Sequence, residues 1–287
     1  MDRKTASVNG IELSVFDGGD PDGPALLLLH GWPESARGWA KLVPYIESEF
    51  RLLIPDQRGF GLSQRPDGVD SYAIPTLVGD ATALLDWAGV DSAGVVGHDF
   101  GGAVAWAMGA MVPDRVDRMI VMASPHPMRL RQAAIANPDQ LRRSFYVWLL
   151  HSESGRRLLG ADGYRRLAGW AFGDSDGVSL QDRESYIAEW SQPGAFEAMA
   201  NWYRANFRPE WFDPDLPLEL PPTMVPVMYI HPERDSAFVP EAATGSGKWV
   251  DAEYEETVMA GTTHWMTHEK PQEVAAAVRG WMTSGRS

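Results

Sequence analysis

Ala93-Gly94-Val95-Val96-Gly97-His98-Asp99-Phe100-Gly101-Gly102 is the stretch on which the reading of the fold turns. A short apolar run gives way at once to a Gly-rich turn, and residues 102–111 then read as a helix closed by Pro113. An unbroken apolar run of this length suits a strand buried on both faces. The frame Gly97-His98-Asp99-Phe100-Gly101 is G-x-D-x-G, a nucleophile elbow with Asp where Ser is usual. Its glycines let strand and helix meet without Cβ clashes. Such a turn lifts residue 99 to the tip of a sheet and aims the N–H of Phe100, at a helix start, at whatever forms there. The plainer alternative is a Gly-rich turn in which Asp99 merely caps the helix.

Outward from this point, strands and helices alternate. Toward the N-terminus lie a helix over 74–87, strands over 51–54 and 25–29, and a hairpin over 8–16 turning at Asn9-Gly10. Toward the C-terminus a strand is expected over 117–123. The alternation then stops. Residues 125–222 show no clear strand and hold Trp148, Trp170, Trp190, Trp202 and Trp211, with Pro209 to Pro222 as a Pro-rich return. Strands over 225–230 and 253–258 and a helix over 271–283 restore the pattern. The expected architecture is α/β, a mostly parallel sheet with helices on both faces. Its core is split into residues 1–124 and 223–287 by a helical insertion at 125–222.

Three further positions fall just past strands. His30-Gly31-Trp32-Pro33 follows the strand at 25–29, and its turn can expose the N–H of Trp32 as a second oxyanion donor; by itself it is equally a loop with a Gly and a Pro. Asp235 follows the strand at 225–230, where an Asp is also common in turns. His264 falls between the last strand and the last helix. It is favoured over the other six histidines by that place alone, with His268 one helical turn further on as the competing choice. In open α/β sheets active groups gather beyond the carboxyl ends of the strands. The order Asp99, Asp235, His264 is nucleophile, acid, histidine.

Composition narrows the class. The chain has 287 residues, no Cys, and a formal net charge of −14. Thiol catalysis and Cys-ligated metals are excluded, and a reducing cytoplasm is the expected setting. The acidity makes nucleic acid and anionic membrane surfaces unfavourable partners. No apolar run approaches bilayer length, and Met1 to Ser7 lacks the pattern of a secretory signal.

These motifs together resemble the α/β-hydrolase superfamily and, within it, the epoxide hydrolases, over essentially the whole length. The matching runs are His30-Gly31-Trp32-Pro33-Glu34-Ser35, Asp56-Gln57-Arg58-Gly59-Phe60-Gly61-Leu62-Ser63, Gly97 to Gly102, Asn201-Trp202-Tyr203-Arg204 and His264-Trp265 ahead of Pro271. The second run is common to many hydrolases of this fold; Asn201 to Arg204 is far more specific. The resemblance implies Asp99 as nucleophile, Asp235 and His264 as the water-activating pair, and the N–H groups of Trp32 and Phe100 as oxyanion hole. It also implies two tyrosines of a helical cap holding the epoxide oxygen. Tyr203 is one, and Tyr146, expected in the first cap helix, is the other, with Tyr164 and Tyr186 as alternatives. The chain departs from the family at Thr262-Thr263, where Gly is usual, and in the polar run His231 to Arg234. The implied reaction is hydrolysis of an epoxide to a vicinal diol with no cofactor and no metal, by a monomer or homodimer.

An Asp nucleophile points to substitution at carbon and not to acyl transfer. Haloalkane and haloacid dehalogenases share it, but grip the halide or carboxylate with a donor directly after the nucleophile. The Phe100 side chain supplies none. A low-turnover binding protein on this fold is the third alternative, and it has no need of nucleophile, acid and base together.

Overall fold

The computed structural model describes residues 2–216 and 218–284. Eight strands form one sheet: β1 (Asp2–Val8), β2 (Ile11–Gly19), β3 (Ala25–Leu29), β4 (Arg51–Pro55), β5 (Ala93–His98), β6 (Val116–Met122), β7 (Val227–Pro232) and β8 (Tyr254–Met259). Their order across the sheet is β1-β2-β4-β3-β5-β6-β7-β8. From β4 to β8 all neighbours are parallel, while β1 and β2 pair antiparallel at one edge. The hairpin turn has positive φ at both Asn9 (47°) and Gly10 (78°), the two-residue turn whose twist matches its strands.

Side chains of the central strands alternate between two cores. Leu27, Leu29, Leu53 and Val95 face one side, and Leu26, Leu28, Leu52, Ile54 and Val96 the other. Burial of both faces explains why these strands read as continuous apolar runs. Helices α1 (Ile74–Trp87) and α2 (Phe100–Met111) cover the first face. Among the described residues seven α-helices follow between β6 and β7: α3 (Pro127–Ala136), α4 (Pro138–Arg143), α5 (Phe145–His151), α6 (Glu153–Gly160), α7 (Arg165–Phe172), α8 (Leu180–Trp190) and α9 (Ala195–Asn206). The short α10 (Pro240–Ala243) and α11 (Met266–Glu269) precede α12 (Pro271–Thr283), which packs on the second face.

Helix α2 starts at Phe100, two residues earlier than its apolar pattern indicates. The reason is the turn itself. Asp99 takes φ 49° and ψ −120°, so the chain reverses within one residue and enters the helix directly. Gly97 and Gly101 serve close approach, not unusual φ. A Cβ on Gly97 would lie 2.5 Å from the Gly101 carbonyl oxygen, and one on Gly101 would collide with the carbonyl of Leu29. β7 runs two residues past the expected end, so Asp235 sits three residues beyond it. The first and last residues of β6 and β8 also differ by one from expectation. Pro217, within the Pro-rich return, lies outside the described residues.

In the order β4-β3-β5 the strands following β3 are added first on one side of it and then on the other, which places the loops after β3 and β5 side by side. A crevice at such a switch point is where open α/β sheets bind ligands. The helical insertion sits over it and is pinned by indole N–H donors. Trp190 donates to the Pro33 carbonyl at 2.7 Å, Trp202 to Arg58 at 2.9 Å, and Trp265 of the core to Ala171 of the insertion at 2.7 Å. Among the described residues no helix is long and apolar enough to cross a membrane.

Candidate active site

The Asp99 carboxylate does not cap α2. Its Oδ1 accepts the Trp32 N–H at 2.8 Å, and its Oδ2 lies 3.4 Å from His264 Nε2. The loop carrying Trp32 is built from below. His30 Nε2 accepts the N–H of Gln57 at 3.0 Å, and the Gln57 side chain donates to the His30 carbonyl at 2.6 Å. His30 is thus a structural histidine, and burial holds its pKa low. Gly31 must lack a side chain because a Cβ there would run into Asp99. The run Asp56 to Ser63 serves the same loop: Asp56 accepts from the N–H of Ala36 and of Leu62, and Arg58 and Asp80 form a buried two-pronged ion pair at 2.6 Å.

His264 Nδ1 faces both Asp235 oxygens, at 3.1 and 3.2 Å. The polar run before Asp235 joins the two loops. The Glu233 carboxylate accepts the Gly261 N–H at 2.8 Å, and Arg234 donates from its backbone to the Thr262 carbonyl and from its side chain to the Gly261 carbonyl. Thr262 and Thr263, where glycine was expected, secure the turn: Thr262 bonds the Met259 carbonyl, and Thr263 bonds Glu269 through both its N–H and its hydroxyl. Burial opposes a charge on His264, but the carboxylates of Asp235 and Asp99 outweigh it and raise the pKa well above the ordinary histidine value.

Two tyrosines of the insertion face this triad. The hydroxyls of Tyr146 and Tyr203 stand 2.9 Å apart. Tyr203 lies on α9 with its ring edge-on to Phe100, and Tyr146 lies on α5 with its ring stacked on Trp32. Tyr146 therefore belongs to the third helix of the insertion, not the first, because α3 and α4 precede it. Burial and the nearby Asp99 carboxylate push both phenol pKa values upward, so both remain protonated at neutral pH. Neither alternative tyrosine reaches Asp99. Tyr186 donates to Glu34 at 2.8 Å, and Tyr164, in the left-handed conformation at the start of α7, packs against Trp190 and Phe196.

Asp99, Tyr146 and Tyr203 line two cavities at once. The larger, about 510 Å³, also exposes His264, Trp32 and Trp170. The smaller, about 50 Å³, is walled by Phe100, Phe207, Trp211 and Phe238. Of the five tryptophans of residues 125–222, only Trp170 and Trp211 line these cavities.

A buried ionic cluster beneath the site carried no signal in the sequence beyond the Glu of the His30 to Ser35 run. Glu34 accepts from His268 Nε2 at 2.7 Å and from Tyr186, and its other oxygen is 3.4 Å from His98 Nδ1. His98 in turn contacts the His264 carbonyl at 2.8 Å. His268 thus belongs to this cluster and not to the triad. Burial raises the Glu34 pKa, yet His268 and His98 overcome it and hold the group well below the usual carboxylate range. Its stabilisation is therefore present above the unfolded-state value near ~4.3 and is lost as pH falls below it. Glu34→Gln should cost about 3 kcal/mol at neutral pH. Urea titrations should show the gap to the parent narrowing below about pH 4; a gap that stays constant with pH would contradict this assignment.

Residues 24–271 match the family model described as alpha/beta hydrolase fold. The AB hydrolase superfamily protein YfhM of Bacillus subtilis is 38% identical over 204 residues, which cover 69% of this chain and 71% of that protein. Epoxide hydrolase A of Mycobacterium tuberculosis is 29% identical over 90% of each chain. A solved structure from metagenomes of hot environments, described among novel epoxide hydrolases belonging to the alpha/beta hydrolases superfamily, has 30% identity, covers 99% of both chains and superposes with a TM-score of 0.86. The Bacillus megaterium epoxide hydrolase, solved with an inhibitor, is 26% identical over 97% of this chain and 99% of that one, at a TM-score of 0.87. The chain belongs to the α/β-hydrolase superfamily. Within that superfamily it belongs to the epoxide hydrolase family.

Proposed function

We propose that this chain hydrolyses epoxides to vicinal diols through an ester formed on Asp99, with residues 125–222 acting as the cap that supplies the ring-opening donors. The observation that carries this reading is the pair of tyrosine hydroxyls, 2.9 Å apart, in the cavities that also expose the Asp99 carboxylate.

In the first step Asp99 Oδ2 attacks an epoxide carbon, while Oδ1 stays on the Trp32 N–H. The ring C–O bond breaks, and its oxygen leaves with the electron pair and takes a proton from Tyr203 or Tyr146. Neutral phenols suit this work, since they donate in the ground state and can give up the proton as charge develops. In the second step His264 Nε2 takes a proton from water, and the hydroxide attacks the Asp99 carbonyl carbon. Charge then collects on Oδ1, which the N–H groups of Trp32 and Phe100 receive. Collapse of this intermediate breaks the bond to Oδ2, the imidazolium returns its proton to the departing oxygen, the proton left on the new Asp99 carboxyl group passes to the tyrosinate formed in ring opening, and the diol is released.

Electrostatics orders the two steps. In the resting protein two carboxylates raise the His264 pKa. Esterification removes the charge of Asp99, so His264 keeps only Asp235 and its pKa falls toward the range where it is a working base. Ester hydrolysis needs neutral His264. Its rate is therefore full above the pKa of the ester form and declines as pH drops through it.

The substrate class supported is a neutral epoxide with an apolar substituent, given the aromatic walls of both cavities. A setting without oxidising chemistry, such as the cytoplasm, fits a chain with no cysteine. Incubation with styrene oxide and chiral analysis of the products tests the reading. Formation of phenylethanediol is expected; halide release from haloalkanes with no diol from any epoxide would contradict it.

A further inference from the structure

The segment that follows Asp235 is packed on the insertion. Beyond Asp235 the chain runs through Ala237, Phe238 and Val239 into α10. Val239 and Ala242 bury themselves against Ala133 of α3, with Leu130 and Phe238 at the edge of this small separate core. Two side chains of α4, one helical turn apart, then bind the loop by its backbone. Gln140 is fully buried; its Oε1 accepts the Val239 N–H at 2.9 Å, and its Nε2 donates to the Ala237 carbonyl at 3.0 Å. Arg143 Nη1 donates to the carbonyls of Asp235 at 2.7 Å and of Phe238 at 2.8 Å. The loop closes on itself where Asp235 Oδ1 accepts the Ala237 N–H at 2.7 Å.

From this clamp we infer that Gln140 and Arg143 are positioning residues for the water-activating pair, and that the seating of α4 on the Asp235 loop sets the second chemical step. The inference rests on the proposed ester mechanism. Tyr146 stands in the first turn of α5, three residues after Arg143. One short piece of the insertion thus presents the ring-opening donor on one side and fixes the backbone of Asp235 on the other. A carboxylate held through its own carbonyl, and through the next residues' backbone, keeps the orientation that His264 Nδ1 requires. Displacement of catalytic groups by about an ångström costs on the order of 100-fold in rate. Arg143 lines the larger cavity with Asp99 and His264, but its Nη1 is spent on the carbonyls of Asp235 and Phe238, so in this scheme it acts through Asp235. The titratable and charged groups around His264 among the described residues are the Asp235 and Asp99 carboxylates, the His98 ring, whose centroid is 5.1 Å away, and Arg142 and Arg143 on the wall of the shared cavity, while the Phe238 and Trp265 rings cover its remaining sides.

The test separates the two steps in single turnovers of the full chain with styrene oxide, following the ester on Asp99 by intact mass. In Arg143→Met the ester should form within about two-fold of the parent rate but decay about 100-fold more slowly. The acid limb of its decay should move to lower pH, because His264 loses part of its hold on Asp235. Arg143→Lys, which keeps one donor, should recover most of the decay rate. Gln140→Glu, which keeps the Val239 acceptor and loses the donor to Ala237, should slow decay in the same sense and serves if Arg143→Met does not fold. Parental decay with an unmoved acid limb would overturn the inference. So would both steps slowing together in proportion to a lowered Tm, which marks a purely structural role. An absence of ester on the parent and on His264→Gln would overturn the mechanism itself, a result distinct from either.

Discussion

His264→Gln should stop the reaction halfway, with multiple-turnover diol formation falling by about 10⁴-fold. Glutamine can hold a water molecule by hydrogen bonds but cannot take its proton. In the proposed mechanism ring opening uses Asp99 and the tyrosines, so it should continue. The expected result is one equivalent of substrate consumed and a gain on the protein equal to the full substrate mass, located on the peptide that contains Asp99. Asp99→Ala provides the blank, since no carboxylate remains at the elbow to accept the carbon. His264 lies 3.4 Å from Asp99 and within 3.2 Å of both Asp235 oxygens, and the nearby His268 is committed to Glu34. The same trap in His268→Gln should therefore not appear. Diol formation by His264→Gln at the parent rate would remove His264 from the chemistry.

Removal of the phenols acts on the other half of the reaction. Tyr203→Phe and Tyr146→Phe should each slow ester formation by only about 10-fold, and Tyr146→Phe,Tyr203→Phe by about 10⁴-fold, the upper end expected for a positioned acid. The single variants should be non-additive, because the hydroxyls are hydrogen-bonded to each other and either can approach the epoxide oxygen when its partner is lost. Phe at position 203 keeps the ring contacts with Phe100 and Phe207, so thermal stability should shift little. The measurement is the burst of ester in the His264→Gln background, where decay does not blur formation. An unchanged burst in Tyr203→Phe would show that this hydroxyl is not the donor.

Much of this arrangement was legible in the chain because the governing physics is local. Leu26 to Leu29 and Val95-Val96 announce strands buried on both faces, and Gly97 and Gly101 announce a turn where two backbones touch. The Asp99, Asp235, His264 order follows from loops that leave the same end of one sheet. What the chain did not display is set by contacts distant in sequence. The early start of α2 depends on one strained residue, Asp99, whose conformation no apolar pattern reveals. The place of Tyr146 on the third helix of the insertion depends on how α3 and α4 fold back beneath the Asp235 loop. The Glu34 cluster gathers residues from positions 34, 98, 186 and 268, and a buried carboxylate among histidines has no signature in any one segment. Thr262 and Thr263 look out of place only until the Met259 carbonyl and the Glu269 carboxylate are seen to accept from them in turn.

The covalent role proposed for Asp99 can be tested by isotope placement. In a single turnover with enzyme in excess in heavy-oxygen water, the new oxygen should enter the Asp99 carboxylate, and the diol should carry only the epoxide oxygen and the original Oδ2. Mass analysis of the Asp99 peptide and of the first diol released decides the matter. Heavy oxygen in that first diol, with Asp99 unlabelled, would mean that water attacks the epoxide directly, and the ester account would be wrong.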